Sequence, residues 1–167
     1  MAGRFMAAGE RLICLPRMGA SYSPRGTLRS LWRQYLQYGE YRTKTAVRHP
    51  ATMRRSHLLA PGLVITAAGA TLGPRWIAVP ARAGVAAYTV ALTTTGVSSL
   101  RSGQDAREAA LVPAALATMH TGHGVGMLRG VIRHGLPRAA LLRVIGLRAA
   151  ARRHLPPVEP TYAPSLS

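Results

Sequence analysis

Two stretches of the chain, each 18 residues long, carry no formal charge. They are HLLAPGLVITAAGATLGP (His57–Pro74) and AGVAAYTVALTTTGVSSL (Ala83–Leu100). In helical form, a stretch of this length nearly spans the hydrocarbon of a bilayer. A soluble domain of 167 residues rarely contains two such stretches, so the sequence favours a membrane protein over a soluble domain with buried apolar helices.

A third apolar segment, Ala109–Leu128, contains Pro113 and two histidines, His120 and His123. Polar groups at mid-membrane are costly unless they are buried in protein or wet, so we expect this segment to be re-entrant or to lie along the interface. The histidines have no third ligand nearby, which favours helix packing over metal binding. Four glycines without a following Lys-Ser/Thr pair indicate close helix contact rather than a phosphate loop; they are Gly122, Gly124, Gly126 and Gly130.

Arginine-rich blocks flank the apolar region. Arg25–Arg55 holds eight basic residues and one acid, and Arg129–Arg153 holds seven basic residues and no acid. Short basic segments are retained on the cytoplasmic side of a membrane, and three full crossings would put the two blocks on opposite sides. We therefore predict a multi-pass protein of the plasma membrane. In this prediction His57–Pro74 crosses the membrane outward from the cytoplasm and Trp76–Leu100 crosses back. Both basic blocks then lie on the cytoplasmic side, beside anionic lipid headgroups.

The net charge of the chain is +17, which implies an anionic partner. A basic, non-enzymatic nucleic-acid-binding protein is therefore the alternative interpretation. The two interpretations differ in solubility, because a membrane protein needs detergent for extraction and a nucleic-acid module does not. The apolar stretches favour anionic lipids as the partner, with no nucleic acid.

The segment between the N-terminal residues and the apolar region reads as an amphipathic helix. Thr27 is a plausible N-cap and the helix should run to about Arg48, with Pro50 closing it. Apolar and aromatic side chains recur at helical spacing on one side; they are Leu28, Leu31, Trp32, Tyr35 and Tyr38. A basic face opposite this one suits a helix lying in the headgroup plane.

The complete pattern predicts a mainly α-helical membrane protein. Its parts are a remnant with short strands at Arg11–Leu15 and Ala20–Ser23 (1–26), an amphipathic interfacial helix (27–49), a membrane region of two to three transmembrane or re-entrant helices (57–128), a basic helix (129–154) and a Pro-rich, disordered tail (155–167). The two short strands would form a β-hairpin around the turn PRMG.

The order of several motifs resembles the C-terminal third of membrane-bound family-2 glycosyltransferases of the succinoglycan, or exopolysaccharide, type. The motifs are GERLICLP (Gly9–Pro16), YSPR (Tyr22–Arg25) and QYLQYG (Gln34–Gly39), followed by apolar helices. The tract MHTGHGVGMLRGVIR (Met119–Arg133) resembles the last apolar segment of this group. The resemblance extends from Gly9 to about Arg133.

The resemblance implies the membrane-anchoring and acceptor-site portion of an enzyme in polysaccharide biosynthesis. Such an enzyme transfers a sugar from a nucleotide-sugar donor to a lipid-linked or growing saccharide. Substrate binding is expected from five side chains of the interfacial helix, Arg33, Gln34, Tyr35, Gln37 and Tyr38. Gln34 would hydrogen-bond sugar hydroxyls and Tyr38 would stack on a sugar ring. Without the resemblance, a hydrogen bond between Gln34 and Tyr38 within the helix is the simpler interpretation.

Two departures from the family separate this chain from a complete enzyme. Gln37 and Tyr38 stand where the wider family has Arg and Trp, although Arg33 lies one turn earlier and could partly supply the missing charge. The chain also lacks the donor domain, whose Asp-x-Asp motif binds a divalent cation. Its few acids, Glu10, Glu40, Asp105, Glu108 and Glu159, provide neither that motif nor a general base. We therefore assign no catalytic residue and no metal ligand, expect Mg²⁺ or Mn²⁺ only with the missing catalytic domain, and predict that the chain is inactive alone.

Overall fold

The computed structural model describes Gly9, Gly19 and residues 26–146. The predicted strands, the end of the basic segment after 146 and the C-terminal tail lie outside the described residues. Between 26 and 146, five α-helices follow one another: α1 (Leu28–Arg48), α2 (Leu59–Leu72), α3 (Arg75–Arg101), α4 (Ala106–His134) and α5 (Arg138–Val144). Two short 3₁₀ turns, Pro50–Thr52 and Arg55–Leu58, join α1 to α2. This part of the chain confirms the predicted mainly α fold.

Helix α1 begins and ends where its sequence predicts. The hydroxyl of Thr27 accepts a hydrogen bond from the backbone N–H of Ser30 at 3.1 Å, which satisfies one of the free N–H groups of the first turn. The helix ends at Arg48, two residues before Pro50, because the residue before a proline is driven out of the helical region. Thr27 is thus confirmed as the N-cap.

Helices α1 and α4 run parallel and touch through their backbones. Gly122, Gly126 and Gly130 are four residues apart, so they share one face of α4. A Cβ at Gly126 would collide with the carbonyl of Leu36, and a Cβ at Gly130 would lie 2.7 Å from the Cβ of Thr43. At Gly122 an added Cβ would lie 3.2 Å from the backbone carbonyl of Trp32. The predicted close helix contact at these glycines is confirmed, since the backbone of α4 lies directly against α1.

Two residues of α1 complete this contact. A Cβ at Gly39 would lie 2.7 Å from the backbone nitrogen of Met127, so α1 also needs a glycine at the crossing. Thr43, which is fully buried, donates its hydroxyl proton to the carbonyl of Met127 at 3.0 Å. Small side chains on both helices bring the backbones together, and the threonine fixes their register.

Helix α4 is the central element, because α1, α2 and α3 all pack on it. A Cβ at Gly124 would meet the carbonyl of Ala60 in α2, and a Cβ at Gly96 of α3 would lie 3.0 Å from the carbonyl of Ala109. The last helix, α5, packs on α1 and on the first 3₁₀ turn. The buried apolar cluster there is small; it consists of Ala46, Met53, Met127, Ala140 and Val144.

Large apolar side chains lie on the outside of α3. Trp76 is 77% exposed, Val79 62% and Val90 61%, whereas its buried residues are Ala78 and Gly96. With 27 residues, α3 is the one helix in the described part of the chain that is long and apolar enough to cross a membrane. Helix α2, at 14 residues, is about 21 Å long, which is shorter than the hydrocarbon thickness of about 30 Å.

The structure differs from the predicted segmentation in two places. The third apolar segment is part of a continuous helix of 29 residues that passes through Pro113. The predicted basic helix at 129–154 is not one helix in its described part, because Arg129 and Arg133 belong to the last turns of α4 and α5 starts at Arg138. The break between them comes from Gly135, whose φ of +88° favours glycine, and from Pro137.

The backbone contact predicts opposite effects for two glycine substitutions. Gly126→Ala should lower the free energy of unfolding by about 1–3 kcal/mol, because the added methyl group forces α1 and α4 apart. Gly62→Ala in α2, where a Cβ meets nothing within 4 Å, should instead be neutral or stabilise by about 0.5–1 kcal/mol through helix propensity. Denaturation followed by helical circular dichroism in mild detergent checks both. Equal effects would contradict the backbone contact.

Candidate functional site

The five predicted substrate-binding residues do not form one surface. Gln34, Tyr35 and Tyr38 lie together on one side of α1. The Nε2 group of Gln34 donates a hydrogen bond to the hydroxyl of Tyr38 at 2.7 Å, and the rings of Tyr35 and Tyr38 meet edge to face with centroids 5.6 Å apart. The Gln34–Tyr38 bond is the one expected from their spacing within a helix.

Arg33 and Gln37 lie in a different groove, beside α4. A helix turns by about 100° per residue, so residues 33 and 37 share a side that 34, 35 and 38 do not. The sequence resemblance placed all five at one sugar site. The structure brings Gln34, Tyr35 and Tyr38 together and places Arg33 and Gln37 in another groove.

A cavity of about 740 Å³ lies between α1, the second 3₁₀ turn, α2, α3 and α4; we call it the apolar cavity. Leucine and methionine side chains form much of its wall; they are Leu58, Leu59, Leu63 and Met119. Six side chains with polar atoms also line it; they are Tyr35, Ser56, His57, Tyr88, His120 and His123. Ligand pockets commonly combine apolar walls with a few polar groups, in volumes of about 300–1,000 Å³.

Two polar contacts order the wall of the apolar cavity. The hydroxyl of Tyr88 and Nδ1 of His120 are 3.0 Å apart, so a hydrogen bond links α3 to α4 there. His57 accepts a hydrogen bond at Nδ1 from the backbone N–H of Arg54 at 3.1 Å, which holds the imidazole at the start of α2. Among residues 26–146, no three His, Cys, Asp or Glu side chains are grouped as metal ligands.

The apolar cavity adjoins a second depression, which we call the tyrosine groove. Tyr35 and His123 line both of them. The tyrosine groove has a volume of about 360 Å³, and the rest of its lining is Tyr38, Tyr41, Arg42 and Thr45. Tyr38 is 51% exposed and Tyr41 63%, so both rings are available to a ligand. An apolar space thus leads to an aromatic surface that carries a guanidinium.

The third depression, the arginine groove, lies between α1 and the end of α4. It has a volume of about 300 Å³ and is lined by Arg33, Leu36, Gln37, Glu40, Tyr41, Arg129 and Arg133. Glu40 is its centre. One carboxylate oxygen is 3.0 Å from Nη1 of Arg133 and 3.6 Å from Nε2 of His134, and the other is 3.3 Å from Nε of Arg129. Glu40 therefore joins α1 to the last turns of α4.

These cations shift the titration of Glu40. The hydrogen bond from Arg133 lowers the pKa of this carboxyl below its ordinary value of 4.5. Desolvation opposes this shift, and the charges of Arg133, Arg129 and His134 lower the pKa further. The ionised form is the one that these partners stabilise. The cluster is thus an ion network in the folded protein at neutral pH.

Neither the apolar cavity nor the Glu40 cluster was indicated by any pattern in the sequence. His57, Tyr88 and His120 come from three separate segments, and Glu40 lies 93 residues before Arg133. The charge of Glu40 within a basic block was visible in the sequence. Its partners were not, because they depend on the register of α1 against α4.

The lowered pKa of Glu40 predicts a pH-dependent contribution to stability. The contribution is fully present above the ordinary pKa of the unfolded chain, 4.5, and is lost as pH falls through the lower pKa of the folded chain. Glu40→Gln should therefore have a lower free energy of unfolding than the wild type at pH 7, and this difference should diminish as the pH falls below 4.5. A Glu40→Gln difference that is constant with pH would contradict the ion network.

Chemically, the apolar cavity and the tyrosine groove can hold an amphiphile, with its apolar chain inside and its polar end beside tyrosine and arginine. The arginine groove can hold an anion. Comparison of the chain with protein-family models, with curated proteins and with solved structures finds no match.

Proposed function

We propose that this chain is the membrane-anchoring and acceptor-site portion of a glycosyltransferase that moves a sugar from a nucleotide-sugar donor to a lipid-linked or growing saccharide. The observation that supports the proposal best is the apolar cavity that adjoins the tyrosine groove. A lipid-linked saccharide has the matching order of parts, with an apolar chain, an anionic phosphate linkage and a sugar.

Each part of such an acceptor has a counterpart on the protein. The chain fits the leucine-lined apolar cavity, where burial away from water is favourable. The phosphate linkage can pair with Arg42 in the tyrosine groove, because guanidinium groups bind phosphate oxygens through two parallel N–H donors. The sugar can then lie against Tyr38 and Tyr41, with Gln34 as the neighbouring amide. Arg33 and Gln37 do not belong to this acceptor site.

The order of the sequence motifs supports the glycosyltransferase part of the proposal. The donor domain, the base and the divalent cation would come from a separate or preceding catalytic domain, since we assign no catalytic residue in this chain. The described residues supply orientation and anchoring. In this proposal the nucleotide sugar approaches from the cytoplasmic side, where the basic blocks of the sequence are expected to lie.

The exposed apolar surface of α3 supports the membrane part. Exposed Trp76, Val79 and Val90 would form an apolar patch in water, and such patches mark interaction with other proteins or with membranes. Between the two terminal arginines of α3 lies Arg82, which donates from Nε to the carbonyl of Ala70 at 3.0 Å. That carbonyl lies in the last turn of α2, where no backbone N–H of the helix is available to bond it. The hydrogen bond therefore gives the guanidinium group of Arg82 one partner inside the protein.

A charge placed on the exposed face of α3 tests whether this helix crosses a bilayer. Val90 is 61% exposed, so Val90→Arg would be almost neutral in a soluble protein. At the middle of a transmembrane helix an arginine costs about 2.5–3.5 kcal/mol of insertion free energy. We therefore expect Val90→Arg to reduce the carbonate-resistant membrane fraction strongly. Leu100→Arg, at the helix end, should have little effect because its side chain can reach the headgroups.

Two outcomes of this experiment would overturn membrane insertion. One is equal membrane retention of Val90→Arg and the wild type. The other is a wild-type chain that stays in detergent-free buffer and elutes from a polyanion column with salt, which would favour the nucleic-acid alternative.

A second substitution tests the acceptor site. Gly62 lines the apolar cavity and a side chain there enters open space, so Gly62→Leu should fill the cavity without disturbing the fold. Photolabelling of the chain by a diazirine-bearing polyprenyl phosphate should fall by about tenfold or more. Ala68→Leu is the matched control, because Ala68 is exposed on the same helix and does not line the cavity. Equal labelling of both variants would contradict the acceptor site.

A further inference from the structure

The arginine groove remains outside the proposed acceptor site. It shares Tyr41 with the tyrosine groove and otherwise has its own lining. Three guanidinium groups, those of Arg33, Arg129 and Arg133, face one carboxylate, that of Glu40. Their formal charges leave the groove with an excess of two positive charges. Such a concentration of one sign attracts anions from solution.

Glu40 holds two of the guanidinium groups and leaves part of each one free. Its carboxylate engages Nε of Arg129 and Nη1 of Arg133. The other N–H donors of these two arginines make no hydrogen bond to any residue between 26 and 146. The side chains of Arg129 and Arg133 are 44% and 52% exposed, so the free donors are accessible. Binding through side chains that are already restrained costs less conformational entropy.

We propose that the arginine groove is a binding site for a multiply charged phosphate group, either a phosphomonoester or a diphosphate. Guanidinium groups match phosphate oxygens through pairs of N–H donors, and Arg33 and the amide of Gln37 add donors from α1. Two excess positive charges neutralise a dianion, whereas a phosphodiester carries a single charge. The groove therefore favours the dianion over the diester.

The phosphate group has two conceivable sources, a lipid headgroup and a soluble molecule. Arg33 and Arg129 belong to the two basic blocks of the sequence, and such blocks bind anionic lipid headgroups. A soluble diphosphate would reach the same exposed donors from water. The chemistry recognised is identical, so the experiment includes one probe for each source.

The test measures binding of three probes to the full chain in mild, uncharged detergent. The probes are dioctanoyl phosphatidic acid, a phosphomonoester lipid; dioctanoyl phosphatidylglycerol, a phosphodiester lipid; and inorganic pyrophosphate. Arg33→Gln and Arg129→Gln remove one groove cation each. Arg29→Gln and Arg138→Gln are matched controls, because each removes one positive charge from an exposed site outside the groove. Helical circular dichroism verifies that all four variants are folded.

We expect phosphatidic acid or pyrophosphate to bind at least about tenfold more tightly than phosphatidylglycerol. Each groove variant should weaken that binding by about tenfold or more, because it loses a charge-assisted hydrogen bond. The controls should change it less than about twofold. Phosphatidic acid alone showing this pattern identifies a lipid source, and pyrophosphate showing it identifies a soluble one. Equal affinity for monoester and diester, equal effects of groove and control variants, or no binding of any probe would overturn the proposal.

This outcome is independent of the acceptor site. Gly62→Leu fills the apolar cavity, which shares no residue with the arginine groove. We expect that variant to bind the three probes as the wild type does. Failure of one proposal therefore leaves the other intact.

Discussion

Backbone contact between α1 and α4 is the constraint on which the rest of the structure depends. At Gly39 and Gly126 no side chain separates the two helices, and an added Cβ would collide with a backbone carbonyl of the other helix. A shift of either helix by one residue would place a larger side chain at the crossing. Steric clashes therefore exclude the neighbouring registers of α1 against α4. The hydrogen bond from Thr43 to the carbonyl of Met127 also stabilises the observed register.

The tyrosine groove and the arginine groove both follow from this register. With Gly39, Thr43 and Ala46 buried, Tyr35 and Tyr38 point to one flank of the contact, Arg33 and Glu40 point to the other, and Tyr41 lines both grooves. The first flank meets the apolar cavity and forms the tyrosine groove. The second brings Glu40 to the end of α4, where the arginines of a distant segment pair with it. One close contact thus places the tyrosine groove and the arginine groove on opposite flanks of α1.

The distribution of side-chain size supports the proposed membrane location. Small residues occupy the helix contacts and larger apolar residues lie outside, as Trp76, Leu72 and Val90 do. In water the opposite arrangement is favoured, because burial of large apolar side chains drives folding. In lipid, helices gain little from burying them and associate through close packing and hydrogen bonds. Glycine contacts, one buried threonine and the Tyr88–His120 bond are interactions of that kind.

The sequence by itself determined the mainly helical fold and the ends of α1, because caps, prolines and apolar periodicity act within a few residues of the chain. Thr27, Pro50 and the glycines spaced by four in α4 could be interpreted in this way. The sequence did not determine which residues share a site. Arg33, Gln34, Tyr35, Gln37 and Tyr38 are adjacent in sequence and were expected together, yet the helical turn directs them to two grooves. Their partners lie far along the chain, as Glu40 and Arg133 do, and only the packing of α1 on α4 brings such residues into contact.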